Sequence, residues 1–264
     1  MLFRSLGSGP LFNVHALTVY NGDLIAGGEY PVIGSQQASR IARWDGTTWQ
    51  QFGSDMNAGV YALTVYNGEL IAGGDFVYIS SNIPASRIAR WNGTSWQPLG
   101  SGMNGIVEAL TVYNGELIAG GHFSTAGGVA ANGVARWNGT TWQPLGSGVS
   151  DVVNALTVYN GELIAGGWFT TAGGAGADRI ARWNGTSWQT LGSGMNGGVL
   201  ALTTYNGALI ATGTFSSAGG VAANRIARWN GANWQPLDSG LNESTFALTV
   251  YNGELIAGGG FTTA

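Results

Sequence analysis

One phrase governs what this chain can become. Ala-Leu-Thr-Val-Tyr-Asn-Gly, or a one-residue variant of it, begins at Ala16, Ala62, Ala109, Ala155, Ala201 and Ala247, at intervals of 46 or 47 residues. Four copies run on identically through Glu-Leu-Ile-Ala-Gly-Gly. A second phrase, Ile-Ala-Arg-Trp followed by Asn or Asp, Gly and then Trp-Gln, recurs five times, with Val134 in place of Ile in the third copy. A period of this length marks an array in which each unit is one supersecondary element that buries its apolar face against its neighbours. The units are numbered here as repeats one to six.

Within a repeat the pattern is that of short strands. In repeat two, Val60–Tyr66 is β-branched and aromatic, Asn67-Gly68 turns the chain, and Glu69–Gly74 returns it. Asn-Gly between two such runs signals a type I′ hairpin, because both residues accept positive φ. A loop follows, then Arg87–Trp91, a second Asn-Gly turn at Asn92-Gly93, and Trp96–Leu99. No segment carries apolar spacing of 3.6 over helical length. Four-stranded units of about 40–50 residues are β-propeller blades. The chain is therefore expected to be a single all-β domain over residues 1–264. Its fold would be a six-bladed β-propeller of four-stranded antiparallel blades.

Ring closure follows from counting strands. Phe3–Gly9 repeats the phrase Trp96–Gly102, so the chain opens on a fourth strand, and it stops just after a second strand. The N-terminal strand would then close the last blade, hiding edges that an open array would expose. That blade still lacks its third strand. Either the chain is part of a longer array, or a strand from another molecule fills the gap and the protein self-associates.

Double glycines stand at Gly27-Gly28, Gly73-Gly74, Gly120-Gly121, Gly166-Gly167 and Gly258-Gly259, and the first four precede Trp pairs five residues apart, such as Trp91/Trp96 and Trp183/Trp188. This arrangement resembles the kelch motif, with Trp where kelch usually has Tyr, and covers nearly the whole chain; repeat five departs from it at Thr212-Gly213. The combination with Ala-Arg-Trp-Asn-Gly and Leu-Gly-Ser-Gly is also similar to the propeller repeats of fungal cortical-marker ectodomains and their bacterial relatives. The kelch resemblance implies a binding platform. Its enzymatic exception, galactose oxidase, needs copper and a Cys-linked Tyr, and this chain contains no Cys. The expectation is a protein without enzymatic activity, cofactor or metal.

Near-identical copies make their differences informative. The residue before Ala-Leu reads His15, Tyr61, Glu108, Asn154, Leu200, Phe246; the residue after the double glycine, or its Thr-Gly variant, reads Glu29, Asp75, His122, Trp168, Thr214, Gly260. Strand one begins and strand two ends at the same end of the hairpin, so both columns belong to one rim, with the loops Tyr30–Ser39 and Phe76–Ser86. The opposite rim carries the uniform Asn-Gly turns. Loops on a rigid scaffold are where binding residues sit. The variable rim is read as a binding face for a protein or peptide. A carbohydrate is the alternative ligand, with Trp168 available to stack on a sugar. Drift in a recently amplified array would also vary these positions, with no ligand at all.

Charge narrows the partners. Only 9% of residues are charged, net charge is −4, and all ten basic residues are Arg, which leaves no phosphate-tracking patch for nucleic acid. No stretch is long and apolar enough for membrane insertion as a helix. The opening Met1–Ser5 lacks a signal-peptide core. The compartment stays open: cytoplasmic, or secreted or cell-surface if the chain is cut from something longer.

The constant residues have structural explanations. Ten of the eleven Trp occupy fixed repeat positions, as packing between blades requires. Arg43, Arg90, Arg136, Arg182 and Arg228 are placed to pair with Asp23, Glu69, Glu116 and Glu162, although Ala208 leaves Arg228 without that partner. His15 and His122 are the only histidines and fit no recognised zinc spacing. The sequons at Asn92, Asn138, Asn184 and Asn242 are read as turn chemistry.

Overall fold

A computed structural model describes residues 13–29, 32, 33, 36, 37, 40–80 and 82–264. Phe3–Gly9 and most of Tyr30–Ser39 lie outside the described residues. Among those described there is no helix, and repeats one to five each form a four-stranded antiparallel sheet in chain order. In repeat two the strands are Val60–Tyr66, Glu69–Gly74, Ile88–Trp91 and Trp96–Pro98. Tyr66 pairs with Glu69 across the first turn, and Trp91 pairs with both Leu70 and Trp96. Asn67 and Gly68 have φ of 49° and 78°, the positive values that a type I′ turn needs. Repeat six contributes Thr245–Tyr251 and Glu254–Gly259 as a two-stranded sheet.

The chain divides into two compact units. The first comprises Met1–Ala119, Phe123–Ala130 and Arg136–Gln143; the second comprises Gly120–His122, Ala131–Ala135 and Pro144–Ala264. Within each, the core lies between successive repeats. In the first unit Ile25, Ile41 and Phe52 of repeat one cluster with Val60, Leu70, Phe76 and Trp96 of repeat two. In the second, Ile164, Ile180 and Leu191 of repeat four meet Val199, Leu209, Phe215 and Trp234 of repeat five.

The double glycine now has a physical cause. A Cβ on Gly73 would stand 2.5 Å from Val107 Cγ1 of the next repeat, and one on Gly166 would stand 2.5 Å from Val199 Cγ1. The following glycine has a different reason: a Cβ on Gly74 would sit 2.0 Å from the carbonyl oxygen of Gly59. The first glycine admits the neighbouring sheet and the second admits its own hairpin partner.

The Trp pairs seal the same junctions. Their ring centroids lie 5.4–5.5 Å apart in tilted or edge-on geometry. In repeats two to five the second indole of the pair also donates its N–H to a main-chain carbonyl ending the previous repeat: Trp96 to Phe52 at 3.5 Å, Trp142 to Leu99 at 3.0 Å, Trp188 to Leu145 at 2.9 Å and Trp234 to Leu191 at 2.9 Å. A buried indole N–H needs such an acceptor.

The segment between the second and third strands differs from the loop expected. It holds a small hairpin in each of the first five repeats, for example Thr125–Ala126 with Val129–Ala130 and Tyr78–Ile79 with Ile83–Pro84. Strands of two residues carry too little alternation to be read from sequence. The preceding repeat fixes the hairpins of repeats two to five. Asn104 Oδ1 accepts from the main-chain N–H groups of Ser124 and Thr125, both at 2.9 Å, and Met103 forms a β-bridge with Ala126. Asn57, Ser150 and Asn196 hold their hairpins the same way, and Asn242 accepts likewise from Thr262 and Thr263 in repeat six.

Candidate functional site

The first variable column has a structural definition that its spacing does not reveal. Pairing in repeat one runs Val14↔Gly28 and then Ala16↔Gly27, so His15 is one residue more than its partner strand accommodates. The same shift falls at Tyr61, Asn154, Leu200 and Phe246. Each is the extra residue of a β-bulge, a feature that re-aims a side chain and recurs beside binding sites. The second column is positioned by the main chain immediately opposite. Glu29 N–H donates to Asn13 O, Asp75 to Gly59 O, Trp168 to Val152 O and Thr214 to Gly198 O, at 3.0–3.2 Å. Bulge and strand end thus place the two columns side by side at one end of each hairpin.

In the first unit these residues form a cluster. The Tyr61 hydroxyl donates to Glu29 Oε1 at 3.1 Å. His15 Nε2 lies 3.7 Å from Glu29 Oε2, and its ring meets the Tyr61 ring edge-on with centroids 5.0 Å apart. Burial holds the Tyr61 hydroxyl protonated well beyond the ordinary phenol range. The negative charge of Asp75, the hydrogen bond to Glu29 and the charges of Glu29 and Glu108 add to that effect. Asp75 Oδ1 is shielded from water and takes no hydrogen bond. Five sequence-predicted residues (His15, Glu29, Tyr61, Asp75 and Glu108) are therefore electrostatically one group, with three carboxylates acting on one half-buried phenol.

The second unit holds the other predicted residues in a different setting. His122 and Thr214 are exposed, Leu200 is half-buried, and Phe246 is 63% exposed. Trp168 is 43% exposed, and its indole rests where a Cβ on Gly198 would stand, 2.5 Å from Cε2. Asn154 is half-buried, with its Oδ1 unpartnered. No carboxylate belongs to the two columns here. Among the described residues, no group of three His, Asp or Glu side chains is arranged to hold a metal.

Two features escaped the sequence. Gly198 beneath Trp168 is one; repeats three and four carry Ile106 and Val152 at the same position, but Gly59 in repeat two blunts that signal. The Arg opening the third-strand phrase is the other. Arg40, Arg87, Arg179 and Arg225 adopt φ of 63–72°, a conformation uncommon outside glycine. Gly133 stands at this place in repeat three with φ of 77° and was the available clue.

The constant polar residues are structural. Arg90, Arg136 and Arg182 reach Glu69, Glu116 and Glu162 at 3.2, 3.2 and 3.0 Å, and Arg43 reaches Asp23 at 3.5 Å. Arg228, facing Ala208, donates instead to Gln235 Oε1 at 3.1 Å. The sequon residues Asn92, Asn138 and Asn184 accept from main-chain N–H groups two and three positions on, at 2.9–3.0 Å.

Residues 88–252 match the Rax2 C-terminal beta propeller domain, more than half of the chain. The chain belongs to that family. The propeller expectation is met through the Rax2 propeller rather than through kelch. No curated protein matches. Among solved structures, the chain is similar to the extracellular domain of a protein described as a hybrid two component system from B. thetaiotaomicron. The TM-score is 0.62 at 12% identity, over 93% of this chain and 31% of that one. A second structure, described as the extracellular domain of a one component system from the same organism, gives 0.62 at 10% identity with the same coverage. The computationally designed protein Ika8 gives 0.55 at 16% identity, over 95% of this chain and 82% of its own. The Rax2-family chain thus spans about a third of the length of the two bacterial domains, and at these identities the likeness is one of fold.

Proposed function

We propose that this Rax2-family propeller is a non-enzymatic recognition scaffold of six blades, binding a protein or peptide through its variable rim. Support for the blade count is the six repeats. The sixth would take the N-terminal segment Phe3–Gly9 as its fourth strand, and its missing third strand would come either from a longer array or from a second molecule; light scattering tests the second of these. The observation that carries the functional reading is the convergence of Glu29, Asp75 and Glu108 on the Tyr61 phenol, with His15 against the same ring. Three carboxylates beside an aromatic ring suit the ammonium or guanidinium group of a Lys- or Arg-bearing segment, which would complement both the charge and the ring.

Selection of a displayed random-peptide library against the intact chain tests this. The expected result is enrichment of basic peptides whose affinity falls with added salt and is lost in the Glu29→Gln/Asp75→Asn/Glu108→Gln variant. Equal binding by that variant, or no enrichment of basic sequences, would refute the reading.

A further inference from the structure

We infer that Trp168, seated on Gly198 and sharing a hairpin end with Asn154, forms a binding subsite for a neutral pyranose sugar. Ten of the eleven tryptophans are buried or half-buried in the repeated packing positions; Trp168 is the exposed one. Its seat is built. A Cβ on Gly198 would fall 2.5–2.8 Å from Cε2, Cζ2 and Cδ2, so the fused ring lies directly on the main chain. Gly198 is not among the residues of positive φ, so the indole explains the glycine and the backbone conformation does not. Where the second column is not a tryptophan, the matching position holds Ile106, Val152 or Ser244; the other glycine there, Gly59, has its Cβ place taken by the Tyr61 ring, Cε1 at 2.7 Å. One face of the indole is thus backed by backbone, and the exposed surface belongs to the other. A flat apolar face with a polar edge beside it is what the C–H face of a pyranose packs on.

A second, independent observation lies at the same end of this hairpin. Asn154 Oδ1 has no hydrogen-bond partner, although the side chain as a whole is only half-buried. Buried polar atoms are nearly always paired, so an amide left with unused acceptor capacity points to a donor from outside the protein. The hairpin register brings the two residues to one end of the same hairpin: Trp168 N–H donates to Val152 O at 3.0 Å, two residues before Asn154. That oxygen is shielded from water, so engagement requires rotation about χ2, after which the carboxamide would both accept from and donate to adjacent hydroxyls. The rim columns of this unit contain no carboxylate or Arg, which favours an uncharged ligand. A proline-rich peptide would instead call for a groove lined by several aromatic rings, and Trp168 makes no ring contact with another aromatic side chain among the described residues.

This inference stands apart from the basic-peptide reading, which uses the other compact unit. Calorimetric titration of the intact chain with cellohexaose, laminarihexaose, mannohexaose and chitohexaose tests it, with tryptophan fluorescence followed in parallel. At least one of these is expected to bind saturably and to perturb the emission. Trp168→Ala should weaken that binding at least tenfold without shifting the thermal transition, and Trp168→Tyr should restore part of it. Gly198→Val, which unseats a ring that is still present, should weaken it as well. The Glu29→Gln/Asp75→Asn/Glu108→Gln variant should bind sugar normally, so failure of either reading is visible separately. Absence of saturable binding by all four sugars at millimolar concentration, or binding indifferent to Trp168→Ala, would overturn the inference.

Discussion

Adding a single methyl group at Gly166 tests the packing logic of the whole array. The residue has no positive φ, so alanine fits its backbone and any cost must come from contact. Its Cβ would stand 2.5 Å from Val199 Cγ1, 3.0 Å from Val199 Cβ and 3.2 Å from Leu202 Cδ1. Carbon atoms prefer about 3.5–4.0 Å, so repeat five must retreat by about 1 Å from repeat four. Overpacking on this scale costs roughly 1–3 kcal/mol. Val199→Ala alone deletes two carbons from a fully buried side chain, worth about 1.5 kcal/mol before any cavity is counted. In the double variant the 2.5 Å contact disappears, so its cost should fall short of the summed single costs by about 1 kcal/mol. Urea denaturation of the four proteins measures the cycle; a loss of about 2 kcal/mol corresponds to a melting shift of about 4 °C or more. Strict additivity, or an unchanged stability for Gly166→Ala, would refute the claim that the glycine exists to admit its neighbour. Repeat five supplies a natural comparison. Thr212 occupies the equivalent place, fully buried, with its hydroxyl donating to Arg225 O at 2.6 Å. Gly166→Thr should accordingly be tolerated better than Gly166→Val.

Replacing Trp188 by Phe removes the 2.9 Å donation to Leu145 O and leaves a carbonyl unpaired at a buried junction; a loss of about 1–3 kcal/mol is expected in chemical denaturation. Asn104→Ala frees the two N–H groups at the start of its hairpin. Faster hydrogen exchange should appear at Ser124 and Thr125 with little change at Leu117–Ala119. Asp45 takes the turn position that Asn92, Asn138 and Asn184 hold elsewhere, and hydrogen bonds from Thr48 and Thr47 lower its pKa from 3.8 to about 2. A depressed folded-state value contributes stability above the unfolded pKa and loses it as pH falls through the folded one. Stability measured between pH 4 and 2 should therefore decline more in the parent than in Asp45→Asn.

The repeat period, the Asn-Gly turns and the packing role of the Trp pairs were legible because each depends on local chemistry recurring at fixed intervals. The Arg–carboxylate pairs followed for the same reason, including the exception at Ala208. The bulges were not legible. Val60, Tyr61 and Ala62 read as plain alternation, and only the pairing of Val60 with Gly74 and Ala62 with Gly73 shows two steps set against one. The positive φ of Arg87 was hidden because side-chain chemistry does not report backbone angle, except where Gly133 replaced it. The grouping of His15, Glu29, Tyr61, Asp75 and Glu108 was visible only as two columns. That column two of one repeat meets column one of the next, as Glu29 meets Tyr61, depends on how sheets stack rather than on any residue's neighbours in sequence.

The bulge separates two kinds of information within a single strand. Because the inserted residue stands outside the ladder, its identity is invisible to the pairing that builds the sheet, and so to the folding code that duplication copied almost verbatim. Histidine, tyrosine, asparagine, leucine and phenylalanine occupy that slot in repeats one, two, four, five and six without altering the frame around it. An array of this design can diversify its chemistry one letter at a time while its architecture is inherited intact, and the slot is the natural place to graft a new specificity.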